Sequence, residues 1–354
     1  MNRTKTALSF AVLICLLLCG CGRDASQLTV VTGIGVDGLP GAYRISTEVI
    51  RLSENDENNQ SVSLGADGQT ITDGINSLVS MTGRSLYCNH TQVLVIGRET
   101  AEAGLDTLLD ELLRGTQYPI SMRIAIAKET AAGILGASPV VSDLHSVEME
   151  DMIREGAVQC LVPDLDVCSF YQEVYAQGIE GVLPFMDLRE DHGEQICTLA
   201  GAALFRGTKL LTVLDQEDSR CLMWMRGKSG GTLVTDHGLL EVTHLERTLR
   251  TDKNGATLTL KLTLTASSNE ENKDAVMQEA ERAMVRQCES LLTRLKQLQC
   301  DAVGFGNHLY QTSKGDWAEM GERWPERFAS YPIRIQVQVE QVIWGRIWST
   351  KGRQ

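Results

Sequence analysis

Beyond its N-terminal segment the sequence has no apolar run approaching 18 residues, so no further membrane-spanning helix is expected. It has no CxxC pair, which leaves a zinc knuckle or a thioredoxin-like redox motif unsupported. Among His90, His145, His192, His237, His244 and His308, no two stand at the i, i+4 spacing around a glutamate that zinc proteases use. An excess of basic charge is also missing: 33 Lys and Arg against 46 Asp and Glu leave a net charge of -13. That balance argues against nucleic acid and against electrostatic adhesion to anionic lipid, and it favours solubility. No internal repeat is visible, and no paired carboxylates rise above the acidic background.

What is present begins with Ala7 to Cys21, ALSFAVLICLLLCGC, which follows Arg3 and Lys5. A basic start and an apolar stretch shorter than the ~20 residues of a membrane span read as a secretory signal. Leu18-Cys19-Gly20-Cys21 then reads as a lipobox, with the small Gly20 before the cleavage point. Cysteine is needed there because its thiol takes a diacylglycerol thioether, and cleavage leaves Cys21 as the new N-terminus. Cys19 stands where a small or β-branched residue is usual. An ordinary secretory signal and an uncleaved anchor helix are the alternatives, and both also place residues 22–354 outside the cytoplasm.

The length suits two or three domains, and 43% hydrophobic with 22% charged residues is ordinary for a globular protein. With Cys15, Cys19 and Cys21 assigned to the signal and the lipid, seven cysteines remain, an odd number. Several lie in apolar strand or helix patterns, where a thiol behaves as a small hydrophobe. An extracytoplasmic location permits a disulfide among them, but the spacing names no pair.

Along the chain, strand and helix patterns alternate, an α+β (mixed α/β) signature. Leu28–Ile34 and Tyr43–Ile50 read as strands. Residues 53–69 read as a polar loop, and Ile71–Met81 as a helix. Gln92–Ile96 reads as a buried strand, and Glu99–Arg114 as one amphipathic helix. A strand at Ile120–Ala127, helices at Thr130–Leu135, Val140–Arg154 and 160–176, and a strand at Gly178–Leu188 follow. Pro184 suggests an edge or an end of that last strand. The charged stretch Arg189–Gln195 marks a boundary. Past it come two strands around a turn at Gly207-Thr208, a short helix at Asp215–Met225 and a Gly-rich linker, 226–238. Leu239–Leu249 and Thr257–Ala266 read as paired strands, the second with Leu258, Leu260, Leu262 and Leu264 in clean alternation. The longest helix, Asn272–Cys300, carries Val276, Ala280, Ala283, Met284, Leu291, Leu295 and Leu298 on one face. Short helical pieces with Trp317 and Trp324 precede a final strand from Ile333. The expected organisation is a signal peptide over 1–20, an N-terminal α/β domain over 21–190, a small middle domain and linker over 191–238, and a C-terminal sheet with one long helix over 239–354.

Two motifs match catalytic patterns on paper. Gly33-Ile34-Gly35-Val36-Asp37-Gly38 fits G-x-G-x-x-G, but a dinucleotide fold needs a helix at that turn, and another strand follows here. The glycines suit a connection between two strands. Gly227-Lys228-Ser229-Gly230-Gly231 lacks the earlier P-loop glycine, since Leu222 stands there. As G-x-S-x-G it lacks the strand-to-helix flanks of a nucleophile elbow, and Asp236-His237 follow too closely for the usual hydrolase order. No catalytic, metal or cofactor site is expected.

Taken together, the lipobox at Cys21, VVTGIGVD at 30–37, GRSLYCNHTQVLVIGRETAEAGLDTLLDELLR at 83–114, IAIAKETAAGIL at 124–135, GAALFRGTKLLTVLD at 201–215 and GFGNHLYQTSKGDW at 304–317, with Trp324 and the closing strand, resemble the Ger(x)C family of spore germination lipoproteins. These are the C subunits of nutrient germinant receptors. The resemblance implies α/β-type domains on a lipid tether at Cys21, no enzymatic activity and no cofactor. It implies assembly with two integral membrane partners, the A-type and B-type receptor subunits, on the outer face of the spore inner membrane. The loop Ser53–Gln69 and the turn at Gly207 are the expected contact regions, because function concentrates on exposed loops. An extracytoplasmic solute-binding lipoprotein is the alternative, which predicts two similar lobes around a cleft. A secreted hydrolase using Ser229 is the third reading.

Overall fold

The computed structural model describes residues 28–51, 60–236, 238–266 and 273–344. The signal segment and the lipid site expected at Cys21 lie outside the described residues. The larger of two sheets is built from β1 (Leu28–Leu39), β2 (Ala42–Arg51), β3 (Gln60–Gly68), β4 (Ser85–Tyr87), β5 (Val93–Ile96), β6 (Arg123–Ala127), β7 (Val182–Asp191), β8 (Glu194–Arg206) and β9 (Lys209–Leu214). Its order is β3-β2-β1-β5-β6-β7-β8-β9, with β4 beside β1. β1, β5, β6 and β7 run parallel, and antiparallel strands extend both flanks.

The central strands are short apolar runs because both of their faces are covered. Side chains alternate between faces along a strand. Leu94, Ile96, Ile124 and Ile126 therefore join one core with Ile71, Leu105, Leu108 and Phe170. Val93, Val95, Ala125 and Ala127 join the other with Ile134, Leu135, Met149 and Ile153. The glycines of G-x-G-x-x-G lie in β1 and its turn, not before a helix. A Cβ on Gly35 would stand 2.7 Å from Leu135 Cδ1, so the glycine lets the helix Ala131–Leu135 lie close on the strand. That helix starts on Asp37, whose carboxylate accepts the N–H groups of Ala131 and Ala132 at 2.7 and 2.9 Å.

Several expected elements move, each for a local reason. Residues 60–68 of the expected loop form the edge strand β3, paired with β2 from Tyr43↔Gly68 to Arg51↔Gln60. Its Val62 and Leu64 pack on the core despite the polar composition. The single helix expected over Glu99–Arg114 is two, Arg98–Ala103 and Asp106–Arg114. Gly104 breaks it at φ 118°, a value that favours glycine, and Leu105 N–H turns out to Thr208 O at 3.0 Å. The helix expected from Val140 begins at His145, because Glu148 folds back to accept N–H groups from Val140, Val141 and Ser142. The 160–176 helix shrinks to Val167–Val174, started by Asp166, which accepts Ser169 N–H at 2.6 Å. Pro184 sits in an interior strand rather than at an edge. β7 pairs with β6 only at Phe185 and Met186, past the proline that has no N–H to give.

The second sheet has the order β10 (Thr232–Thr235), β11 (Gly238–Asp252), β12 (Gly255–Ala266), β13 (Ile333–Trp344), with β12 and β13 parallel. Leu258, Leu260, Leu262 and Leu264 all face the long helix Lys273–Gln297, whose Val276, Ala280, Ala283, Met284, Leu291 and Leu295 are buried against them. The charged stretch Arg189–Gln195 is the tip of the β7–β8 hairpin, where Asp191 pairs with Glu194, so the large sheet runs through it. Val182, Ala202, Leu204 and Leu214 of β7, β8 and β9 belong to the C-terminal core. Their neighbours Leu183, Ala203 and Phe205 belong to the N-terminal one.

The helix His145–Val158 is anchored by a buried carboxylate on β2. Glu48, 3% exposed, accepts His145 N–H at 2.9 Å, Ser146 N–H at 2.8 Å and the Thr32 hydroxyl at 3.1 Å, and Ser146 Oγ also donates to it. Burial pushes this carboxyl up, but the Ser146, His145 and Thr32 donors together hold it below the usual glutamate range. A folded-state value below the unfolded one stabilises the fold above about pH 4.3, and that contribution fades as pH falls through the folded value. Glu48→Gln turns one acceptor into a donor facing N–H groups. It is expected to cost about 2 kcal/mol at neutral pH, with the gap to wild type narrowing under acid. Denaturant titrations at neutral and acidic pH check this, and a gap that widens under acid would contradict it.

Candidate functional site

Two motifs singled out in the sequence have structural work. Ser229 Oγ accepts Leu245 N–H at 2.9 Å, at the irregularity in β11. Its neighbour Gly230 has φ 118°, and a Cβ there would lie 1.8 Å from Val158 O. Gly230 O accepts the Trp224 indole N–H at 2.8 Å. The Gly-Lys-Ser-Gly-Gly stretch is thus a strap between the helix His145–Val158 and the second sheet, with no histidine on the serine among the described residues. His237 lies outside them. The Gly207 turn is tied down rather than free: Gly207 N–H donates to Glu180 at 3.0 Å and Thr208 Oγ1 to Asp106 at 2.6 Å.

The seven described cysteines are all free thiols. Burial pushes Cys88 and Cys197 up to about 12 and Cys160 up to about 11, so they stay protonated and unreactive at neutral pH. Among the described residues no cluster of His, Cys, Asp and Glu could hold a metal, and no helix is long and apolar enough to cross a membrane.

The polar groups that do converge lie where the two halves meet. The helix Gln216–Met225 delivers Arg226, whose Nη1 donates to Glu173 Oε1 at 2.7 Å and whose Nε donates to Ala302 O at 2.6 Å. Glu173 turns its other oxygen to Val182 N–H at 3.1 Å, so one ion pair joins the helix Val167–Val174, β7 and the loop after the long helix. In that loop Asp301 is 1% exposed. Its carboxylate accepts N–H groups from Gly304, Phe305 and Gly306 at 2.8, 3.1 and 2.8 Å and the Trp324 indole at 3.0 Å. Burial pushes this carboxyl above the usual aspartate range despite the four donors. Trp324 in turn packs between Trp317, Phe328 and Tyr331.

Next to this node is a cavity of about 400 Å³ lined by residues of both halves. Leu165, Ile179, Met223 and Val303 supply apolar wall, and Arg247 and His308 supply polar wall. Thr251 Oγ1 lies 2.8 Å from His308 Nδ1. Burial, then the Arg247 charge, hold His308 below the ordinary imidazole value. The sequence reading missed this site, because its residues come from five separate stretches and none forms a motif.

The two halves are not alike: a nine-stranded mixed sheet with helices on both faces stands against a four-stranded sheet with one long helix. This differs from the two similar lobes that a solute-binding reading predicts.

Comparison with known proteins fits that architecture. A family model described as the spore germination protein N-terminal domain matches residues 22–188. A second, described as spore germination B3/GerAC-like, C-terminal, matches residues 200–341. Spore germination protein KC of Bacillus subtilis strain 168 is 21% identical over 372 residues, covering 91% of each chain. YfkR of the same strain is 18% identical over 378 residues, covering 96% of this chain and 97% of its own. The crystal structure of the GerBC protein has the same fold, with a TM-score of 0.55 at 14% identity, covering 88% of this chain and 97% of that one.

Replacing Asp301 tests the node. Asp301→Ala strands three backbone N–H groups and an indole N–H in a buried site. It is expected to destabilise the protein by about 3–5 kcal/mol, read by denaturant titration. A loss below about 1 kcal/mol would show that the loop holds without its carboxylate.

Proposed function

Since the chain belongs to the Ger(x)C family of spore germination proteins, we propose that it is a non-enzymatic, lipid-anchored C subunit of a spore nutrient germinant receptor. The observation that carries this reading is the pair of spore germination models, matched in order over 22–188 and 200–341. The lipobox ending at Cys21 supplies the anchor in this reading, and residues 22–27 after it are mostly polar in sequence. Two or three acyl chains, at ~0.8 kcal/mol per buried methylene, hold such a domain on a bilayer without a spanning helix. Anchoring raises its effective concentration beside integral partners, here the A-type and B-type receptor subunits on the outer face of the spore inner membrane. With Arg226, Glu173 and Asp301 engaged in holding the halves together, the chain contributes surfaces to an assembly rather than a reaction.

Fractionated spores carrying wild type or Cys21→Ala test this, with germination scored on amino acids and sugars. Wild type is expected in the inner membrane fraction, and the variant is expected to be lost from it, with slowed germination. Absence of the wild-type protein from spores would overturn the reading.

A further inference from the structure

The cavity at the junction is lined by a guanidinium that has no ion-pair partner among the described residues. Arg123 pairs with Asp164 at 2.8 Å, and Arg226 pairs with Glu173, so the two carboxylates on the cavity wall are already engaged. Arg247 has no such partner. Its Nε is buried without an acceptor, and no carboxylate pairs with it among the described residues. His308, beside it on the cavity wall, can carry only positive charge and so supplies no counter-charge. Burial and then the nearby Arg226 guanidinium oppose the charge on Arg247, and together they outweigh the favourable pull of the buried Asp301 carboxylate, which is committed to its own N–H donors. Lys228, exposed at the same cavity, adds a second cation without an ion-pair partner among the described residues. In a chain whose net charge is -13, partners for these cations were not scarce. A half-buried guanidinium left unpaired is costly unless something else pairs with it.

We propose that this cavity is a binding site for a small organic acid, whose carboxylate pairs with Arg247 and whose apolar body lies along Leu165, Ile179, Met223 and Val303. The chemistry of the walls selects that class. A guanidinium fork matches the two oxygens of a carboxylate and adds charge to the hydrogen bonds. The apolar residues opposite it favour a hydrocarbon substituent over a fully hydrated inorganic anion. About 400 Å³ falls within the range of small-molecule sites. Because residues of both halves line the cavity, an occupant would also brace their junction. This site is independent of the membrane role proposed above and stands or falls on binding alone.

The test titrates the purified protein with 3-methylbutanoate, its neutral analogue 3-methylbutanamide and inorganic phosphate, followed by calorimetry and by the shift in Tm. The acid is expected to bind saturably and raise Tm, and the amide is expected to do neither. Arg247→Gln is expected to weaken the acid by about tenfold or more, the loss of a charged hydrogen bond. It removes an unpaired charge, so its fold is expected to hold. Lys228→Gln, at an exposed position, is expected to weaken the acid by a smaller factor and serves as the second variant. No saturable binding of the acid, equal binding of acid and amide, preference for phosphate over the acid, or wild-type affinity in Arg247→Gln would each overturn the assignment.

Discussion

Strands β7, β8 and β9 carry the structure's main constraint, because each must serve two cores at once. Leu183, Ala203 and Phe205 point into the N-terminal core while Val182, Ala202, Leu204 and Leu214 point into the C-terminal one. A one-residue slip in their pairing would exchange the two sets. The register is therefore set from both sides, by Phe170 packed edge-on against Phe205 at 5.0 Å on one face and by the helix Gln216–Met225 on the other. The family models stop and restart at residues 188 and 200, within the β7–β8 hairpin. A sequence division can thus fall inside a continuous sheet.

Acids at helix starts, two of them buried, finish what the apolar cores begin. Glu48 starts the helix His145–Val158 from a strand 97 residues away in sequence. Asp37 starts Ala131–Leu135, and Asp301 starts Phe305–Thr312. In each case a carboxylate meets the unsatisfied N–H groups of a first helical turn. Part of the acidic composition thus works inside the molecule, fixing where helices begin, and the rest solubilises the surface. Arg226 and Glu173 do the complementary task at the junction. They place one ion pair where three segments meet, and the neighbouring cavity keeps Arg247 and Lys228 on its wall.

Much of this was legible in the residues. The alternation of Leu258 to Leu264 named β12, and the stripe from Val276 to Leu295 named the long helix. The glycines of G-x-G-x-x-G read as a connection between two strands, which β1 and β2 form. The segments behind the family resemblance, the lipobox apart, fall within the two matched halves. What escaped reading were features set by distant partners. Gly104 looked like one more residue of an amphipathic helix until Leu105 was seen bonded to Thr208. The polar run 60–68 looked like a loop because an edge strand needs only Val62 and Leu64 for its packing. The start of the helix at His145 depends on Glu48 and Glu148, and neither spacing is a motif. The junction cavity was invisible for the same reason, since its wall is assembled only by the fold.

If the shared sheet welds the halves, they unfold together. Hydrogen exchange of the intact protein across a denaturant series measures this directly, comparing peptides from β5 and β6 with peptides from β11 and β12. The expected result is a single opening free energy and a single denaturant dependence for both sets. Two separate openings, with β11 and β12 protected after β5 and β6 have exchanged or the reverse, would show that the halves are independent and that the sheet does not join them.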